Sequence, residues 1–307
     1  MNSPSFFIIG APKCGTSALA KFLSDHKHIY MSKPKEPHFF STDIDESSRL
    51  VLTLKHYLSL FKKARQDQLC GEASVWYFYS KNAVKNIYKF NAKAKIIIMY
   101  RNPSDMIYSL HNQMILSHEE DVKNFENAWK LSWERENGSF IPKNCRDPKK
   151  LYYHKIANYF DQLQNVYKYF SKEQVKIISF ENFQKNNLVV YKEVLQFLNI
   201  EYDNKKVFER INERKVYKNE FFSKLNSFRL NKKISILSKK LKEYLGISSF
   251  PIWSHFLKYI QKISTKTQKA NSIDQNVKKM IDRHYEISYK NFLDKLDFDI
   301  HQNQNFK

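Results

Sequence analysis

The sequence has few cysteines and glycines and no long apolar run. Its three cysteines, Cys14, Cys70 and Cys145, are odd in number and lack metal-ligand spacing. Neither a disulfide framework nor a zinc site is therefore indicated. No apolar run approaches the roughly 18 residues that cross a bilayer, and the run at 6–9 is too short for the core of a signal peptide. A cytoplasmic protein in a reducing compartment is expected.

Acidic residues are also in the minority, since 52 Lys and Arg face 31 Asp and Glu and give a formal net charge of +21. Such a surface attracts anions, which include nucleotides, polyanionic glycans, nucleic acid and acidic membranes. The basic residues are spread along the chain, so many of them simply form a solvated surface. Charge alone does not choose the partner. With 42% apolar residues, the chain has ample material for a core.

Three short apolar runs predict buried strands at 6–9, 96–100 and 175–180. Helical patterns follow the first two runs, and a helix with apolar positions from Ile156 to Val166 precedes the third. Continuous apolar strands separated by helices indicate a parallel sheet covered on both faces. The expected fold class is α/β, a P-loop-like three-layer fold with a central parallel sheet flanked by helices.

The last third of the chain is expected to be a mostly helical C-terminal elaboration. Helices are predicted at 191–198, 234–245, 253–263 and 277–293. Lysines interleave the apolar positions of 215–270, so this segment either packs an apolar stripe on the sheet or contacts a membrane surface or an acceptor. No repeat or linker appears, so we expect one domain over 1–307, with an α/β core from about 5 to 200.

Two of the 5 glycines bracket a single loop between the first strand and its helix, Gly10-Ala11-Pro12-Lys13-Cys14-Gly15-Thr16-Ser17. Such a loop can turn its backbone N–H groups inward, and the helix N-terminus behind it attracts negative charge. An ordinary tight turn is the alternative. Lys13, Thr16 and Ser17 favour the anion site, because they add a cation and two hydroxyls.

The loop differs from that of magnesium-dependent kinases and NTPases, where a lysine follows the second glycine. Thr16 stands at that position, and the lysine has moved inside the loop to Lys13. The second strand ends in Arg101, whereas a magnesium-binding NTPase would place an acidic residue there. A cation at this point repels a metal and attracts a phosphate.

These segments resemble the sulfotransferase family that uses 3′-phosphoadenosine 5′-phosphosulfate (PAPS), in its bacterial and heparan-sulfate-type variants. The likeness covers about residues 5–200. It rests on five segments. One resembles the phosphosulfate loop, Pro12-Lys13-Cys14-Gly15-Thr16-Ser17, and one resembles the 3′-phosphate motif with its later serine, Tyr100-Arg101-Asn102-Pro103 with Ser109. The other three are Lys35-Glu36-Pro37-His38-Phe39-Phe40, Gly71-Glu72-Ala73-Ser74 and Phe197-Leu198-Asn199-Ile200.

The resemblance implies PAPS as donor, PAP as product and no required metal. Residues 12–17, Pro12, Lys13, Cys14, Gly15, Thr16 and Ser17, would bind the 5′-phosphosulfate, with Lys13 stabilising charge on the leaving nucleotide. Arg101 would bind the 3′-phosphate. Ser109 follows Asn102 by nearly two helical turns and can share that anion.

On the acceptor side, the resemblance makes Glu36 the general base that takes the proton of an attacking hydroxyl or amine. His38 would orient the acceptor or serve as the base instead. The alternative to these catalytic roles is that Glu36 is a solvated carboxylate paired with Lys33 or Lys35, and that His38 is a buried structural residue. The implied acceptor is a carbohydrate or polysaccharide.

Several features fit the family less well. Ala73 stands where some relatives have an active-site lysine, and residues 212–215 or Lys218 only loosely match the late loop that closes over the adenosine. Trp76 and Tyr153 are either pocket aromatics or core, and the pair His26 and His28 has no apparent third metal ligand. The rival functions are a magnesium-dependent kinase or NTPase and a non-catalytic polyanion-binding protein. We expect no nucleic-acid partner and no membrane span, with peripheral membrane contact left open.

Overall fold

A computed structural model describes residues 2–209 and 272–304, together with the backbone of 215–217 and 265–267. Within these ranges, five parallel strands form one sheet in the order β2-β3-β1-β4-β5. A two-stranded antiparallel ribbon, β6 with β7, is separate from it. The strands are β1 (Phe6–Gly10), β2 (Ile29–Met31), β3 (Leu69–Ala73), β4 (Lys95–Tyr100), β5 (Val175–Ser179), β6 (Lys215–Tyr217) and β7 (Thr265–Thr267).

Helices occupy most of the other described residues. They are α1 (Thr16–Ser24), α2 (Leu54–Ser59), α3 (Ala83–Phe90), α4 (Pro103–Leu116), α5 (Phe125–Lys130), α6 (Ser132–Glu136), α7 (Tyr153–Ile156), α8 (Tyr159–Tyr167), α9 (Phe180–Lys185), α10 (Asn187–Leu198) and α11 (Gln275–Gln304). In the part of the chain that the structure describes, no helix combines the length and apolar character needed to cross a bilayer.

The strand order places the ends of β1, β3 and β4 side by side. In register, Phe7 of β1 lies between Glu72 of β3 and Ile96 of β4. Because parallel strands end at the same edge of a sheet, the segments that follow these three strands meet there. The predicted phosphate loop, the Glu72-Ala73-Ser74 segment and Arg101 are those segments.

The predicted strands at 6–9, 96–100 and 175–180 are confirmed, except that Phe180 begins α9. Strands β2 and β3 were not predicted. β2 has only three residues, and β3 contains a glycine and a glutamate. The glycine is required by a close approach, since a Cβ on Gly71 would lie 2.1 Å from Cζ of Phe6.

The helix predicted from Ile156 to Val166 is confirmed from Tyr159 onward as α8, but it is not continuous, because α7 ends at Ile156. The hydroxyl of Tyr285 on α11 reaches this break. It donates to the carbonyl of Tyr153 at 2.5 Å and accepts the N–H of Ala157 at 3.4 Å. A tertiary contact thus satisfies backbone groups that a continuous helix would have paired.

The closing helix α11 packs onto the core. Ile281 and Phe292 are fully buried in the hydrophobic cluster that contains β1, and Lys278 Nζ lies 3.0 Å from both Ser104 Oγ and Asp105 Oδ1. The predicted helices at 191–198 and 277–293 lie within α10 and α11. Those at 234–245 and 253–263, and most of the basic segment 215–270, fall outside the described residues.

Candidate active site

The loop between β1 and α1 has the geometry of an anion site. Gly15 caps α1 with φ 84°, and a Cβ added there would lie 3.0 Å from Cδ2 of Phe180. Both the conformation and the space therefore require glycine. The N–H groups of Ala18 and Leu19 bind the Gly15 carbonyl at 2.9 and 3.1 Å. The earlier N–H groups of the helix have no acceptor within it and can bind an anion.

Lys13 lies in this loop with φ 61°, and its side chain extends towards α4. Its Nζ donates to Oε1 of Gln113 at 2.8 Å. Burial lowers the pKa of Lys13, the carboxylate of Glu36 acts in the opposite direction, and the charges of Lys35 and Arg101 lower it further. Lys13 therefore lies within electrostatic reach of all three residues.

Sequence reasoning missed Gln113. The available signal was its position four residues after Ser109, which puts the two side chains on one face of α4.

Cys14 contributes differently from its neighbours in the loop. Its side chain is fully buried and its Sγ lies 3.3 Å from the carbonyl oxygen of Pro12. Burial raises the pKa of the thiol to about 12. The side chain is thus a neutral part of the core, and only the backbone of Cys14 can take part in binding an anion.

Arg101 follows β4 at the same edge of the sheet. Its guanidinium carbon lies 4.9 Å from the ring centroid of Phe180, in the geometry of a cation–π contact. The adjacent Asn102 begins α4 by accepting the Asp105 N–H at 3.3 Å. This cap and the helix start at Pro103 are as predicted.

The segment 35–40 carries the predicted base, Glu36, and is for that reason called the catalytic loop. It is tied to the end of β3. The N–H of Glu36 donates to the Ala73 carbonyl at 3.0 Å, and the N–H of His38 donates to Ser74 Oγ at 3.1 Å. Glu36 and His38 both have positive φ, at 62° and 52°. Because this conformation is strained for residues other than glycine, the attachments must hold it.

The Glu36 carboxylate lies between two basic groups. Lys35 Nζ is 2.5 Å from its Oε1, and His38 Nε2 is 3.5 Å from its Oε2. Burial opposes ionisation, but the His38 contact and the Lys35 charge outweigh it and hold the pKa of Glu36 well below its usual range. Burial lowers the pKa of His38 and outweighs the opposing effect of the contact with Glu36. The predicted pairing with Lys35 is observed, yet the carboxylate also acts on Lys13.

Two other candidate residues, both aromatic, have buried side chains. Tyr153 is fully buried and donates to Glu120 Oε2 at 3.0 Å. Trp76 is also buried, with Lys150 Nζ 5.9 Å from the ring centroid. Both are core residues.

His26 uses both ring nitrogens, on the Glu201 carbonyl and the His28 N–H, so it is structural. Across residues 2–209 and 272–304, no group of three or more His, Cys, Asp or Glu side chains could hold a metal ion.

A family model described as "Sulfotransferase domain" matches residues 3–292 of this chain. The chain belongs to the sulfotransferase family. A crystal structure of a sulfotransferase from Alicyclobacillus acidocaldarius is 29% identical in sequence, with a TM-score of 0.61 over 83% of this chain and all of that one. It confirms the predicted fold class.

Two curated sulfotransferases from Mus musculus are similar in sequence. Heparan sulfate glucosamine 3-O-sulfotransferase 5 is 26% identical over 197 residues, which cover 64% of this chain and 54% of the relative. Carbohydrate sulfotransferase 15 is 28% identical over 251 residues, covering 64% of this chain and 44% of the relative. This chain thus spans about half the length, or less, of these relatives.

Lys35 brings a positive charge to the end of β3, where this chain has Ala73. Ala73 offers no cation, but the neighbouring backbone bond from Glu36 brings Lys35 close to it. The charge of Lys35 acts on Lys13, Glu36, His38 and Glu72. A cation from the catalytic loop therefore lies near the end of β3.

Proposed function

We propose that this sulfotransferase moves a sulfonate group from PAPS to a hydroxyl, or an amine, of a carbohydrate acceptor. The observation that carries the proposal is the meeting of the loop 10–17, Arg101 and the end of β3, to which Glu36 is hydrogen-bonded, at one edge of the sheet. The charges of Arg101 and Glu36 both act on Lys13 there. An anion-binding loop, a cation for a second phosphate and a carboxylate base thereby share one site. A donor with two phosphate positions fits this arrangement.

On the donor side, the N–H groups of Gly15, Thr16 and Ser17 would hold the 5′-phosphate. Arg101 would bind the 3′-phosphate through its planar fork of donors, with Ser109 beside it on α4. Lys13 would leave Gln113 and stabilise the oxygen that bridges sulfur and phosphorus. The supports are the helix N-terminus behind the loop and the low-dielectric setting of Lys13.

In the transfer step, the acceptor oxygen or nitrogen forms a bond to sulfur while the bond from sulfur to the bridging oxygen breaks. The acceptor proton passes to Glu36, and PAP leaves with the bridging oxygen. Lys35 and His38 keep Glu36 ionised and able to accept a hydrogen bond. Such a carboxylate is a weak base towards a free hydroxyl, but the acceptor proton becomes acidic as the bond to sulfur forms.

His38 is the alternative base. Burial lowers the pKa of its imidazole, and within the described residues its Nδ1 has no hydrogen-bond partner. The ring is buried, however, and its Nε2 faces Glu36. These features favour a role in orienting Glu36 and the acceptor.

A carbohydrate acceptor is supported by the names of the two curated relatives and by the net charge of +21, which would attract a polyanionic glycan. A peripheral contact with an acidic membrane would draw on the same charge. All three cysteines are free, which is consistent with the proposed cytoplasmic location.

The proposal is tested with ³⁵S-labelled PAPS and three acceptors: a non-sulfated glycosaminoglycan, a free amino sugar and a simple phenol. We expect label in the glycosaminoglycan or the amino sugar, and none when Lys13→Ala replaces the wild type. Transfer to the phenol alone would overturn the carbohydrate acceptor. Donor binding without transfer to any of the three would favour a binding protein over an enzyme.

A further inference from the structure

Glu72, near the end of β3, is a fully buried carboxyl group that the proposed mechanism does not use. Its Oε2 accepts two hydrogen bonds, from the hydroxyl of Tyr57 at 2.7 Å and from that of Tyr77 at 3.1 Å. Within the described part of the chain, its Oε1 has no hydrogen-bond partner. An incompletely satisfied buried carboxyl is costly, so its position calls for an explanation.

The hydroxyl of Tyr77 links Glu72 to the catalytic loop. It accepts the N–H of Phe40 at 3.3 Å while it donates to Glu72. Without an acceptor for its own proton, this hydroxyl could rotate and cease to accept from Phe40. The chain of contacts from Glu72 through Tyr77 to Phe40 therefore fixes one end of the loop.

The other contacts with the end of β3 lie just before Phe40, at the backbone of Glu36 and His38. Glu36 and His38 both have positive φ, and in this conformation the Glu36 carboxylate and the His38 imidazole face each other. A loop held at both ends can maintain such a conformation.

We propose that Glu72 is a positioning residue, which holds the catalytic loop through Tyr77 and thereby sets the geometry of Glu36 and His38. This inference rests on the proposed function, because it takes the loop to carry the base.

The positioning contact is sensitive to pH. Burial raises the pKa of Glu72 to about 7, although the nearby hydroxyls of Ser74, Tyr57 and Tyr77 and the charge of Lys35 favour the ionised form. Tyr57 lies on α2, Ser74 and Tyr77 follow β3, and Lys35 lies in the loop. On β1, the uncharged Phe7 lies opposite Glu72. A hydroxyl binds a carboxylate more strongly than a carboxylic acid. The loop is therefore held more firmly above pH 7, and turnover should rise as the pH passes this value.

The raised pKa of Glu72 should also affect the stability of the protein, which can be measured without an activity assay. A carboxyl whose folded pKa is raised binds more protons in the folded than in the unfolded protein. Between about pH 4.5 and 7 its contribution to the free energy of unfolding therefore falls as pH rises. Glu72→Gln cannot titrate, so this part of the pH dependence should disappear from its unfolding curves.

Three isosteric variants test the proposal. Tyr77→Phe removes the link to Phe40 and should lower kcat about tenfold, the effect of losing one hydrogen bond, with an unchanged KM for PAPS. Tyr57→Phe is the matched control, since it removes the other donor to Glu72 but leaves the link, and it should keep wild-type kcat. Glu72→Gln can still accept from Tyr77, and its kcat should lose the step near pH 7.

Two results would overturn the positioning role: wild-type kcat for folded Tyr77→Phe, or a retained step near pH 7 in Glu72→Gln. Glu36→Gln, measured alongside, separates this inference from the proposed function. If Glu36→Gln stays active, the assignment of the base fails. If Glu36→Gln is inactive while Tyr77→Phe and Glu72→Gln behave as wild type, only the positioning role fails.

Discussion

The phosphate loop and the catalytic loop are held in place by different means. Residues 10–17 run directly from β1 into α1, and their shape depends on Gly15 and on the backbone around it. The catalytic loop has no regular structure on either side. It depends on Ser74 and Tyr77, which lie 36 and 37 residues away from the loop positions they bind.

The phosphate loop is encoded by residues close together in sequence, whereas the catalytic loop is held by residues that only the fold brings near it. The phosphate loop brings its cation, hydroxyls and N–H groups in one short stretch. The catalytic loop takes its conformation only when the end of β3 lies beside it. Substitutions should therefore act on donor binding and transition-state charge in the first region, and on proton transfer in the second.

The largest effect is expected at the catalytic loop. Glu36→Gln keeps the size of the side chain but cannot accept the proton, so kcat should fall by about 10² to 10⁴. Donor affinity should barely change, because the donor is bound by the other region. Steady-state kinetics together with calorimetric titration of PAP would measure both.

His38→Ala is the control for that variant, and it should keep more activity than Glu36→Gln. Should Glu36→Gln retain more than about a tenth of wild-type kcat while His38→Ala is inactive, the base is His38.

In the phosphate loop, Lys13→Ala should lower kcat by about 10² to 10³, the usual effect of removing one donor to developing negative charge. KM for PAPS should change little, since this charge appears mainly in the transition state. Gln113→Ala is a useful comparison, because it removes the partner of Lys13 but leaves the cation. A loss confined to KM in Lys13→Ala would contradict the assigned role.

Arg101→Ala should act mainly on donor binding. Loss of a charged hydrogen bond to the 3′-phosphate should raise KM for PAPS about 10- to 100-fold and leave kcat nearly unchanged. Small and equal effects of the Lys13 and Arg101 substitutions on both parameters would count against the donor site.

The smallest predicted effect concerns stability. Gly15→Ala meets both a positive φ and the ring of Phe180 at 3.0 Å, so it should cost about 1–3 kcal/mol. Gly138→Ala is the matched control, with φ 90° and nothing within 4 Å of the added Cβ. Thermal unfolding should show a greater loss for Gly15→Ala. Equal losses would mean that Phe180 does not restrict the loop.

The sequence predicted the parts of the molecule whose signals are contiguous. β1, β4 and β5 are continuous apolar runs, and the loop proposed to bind phosphate contains its candidate binding groups within eight residues. β3 was not predicted, because Gly71 and Glu72 interrupt its apolar pattern.

Three-dimensional contacts decide the remainder of the site. The link from Glu72 through Tyr77 to the catalytic loop depends on the pairing of β2 with β3, which brings the segment after β2 beside the end of β3. The contact between Lys13 and Gln113 joins residues 100 apart in sequence. No spacing rule brings such residues together, so only the fold reveals them.

Binding of PAP, measured by calorimetry in EDTA and compared with ATP plus magnesium, tests the central claim most directly. The proposed site predicts that PAP binds without a metal, that Arg101→Ala weakens this binding about 10- to 100-fold, and that ATP with magnesium binds far more weakly. Equal or tighter binding of ATP with magnesium, or PAP binding that is unaffected by Arg101→Ala, would contradict the proposed site.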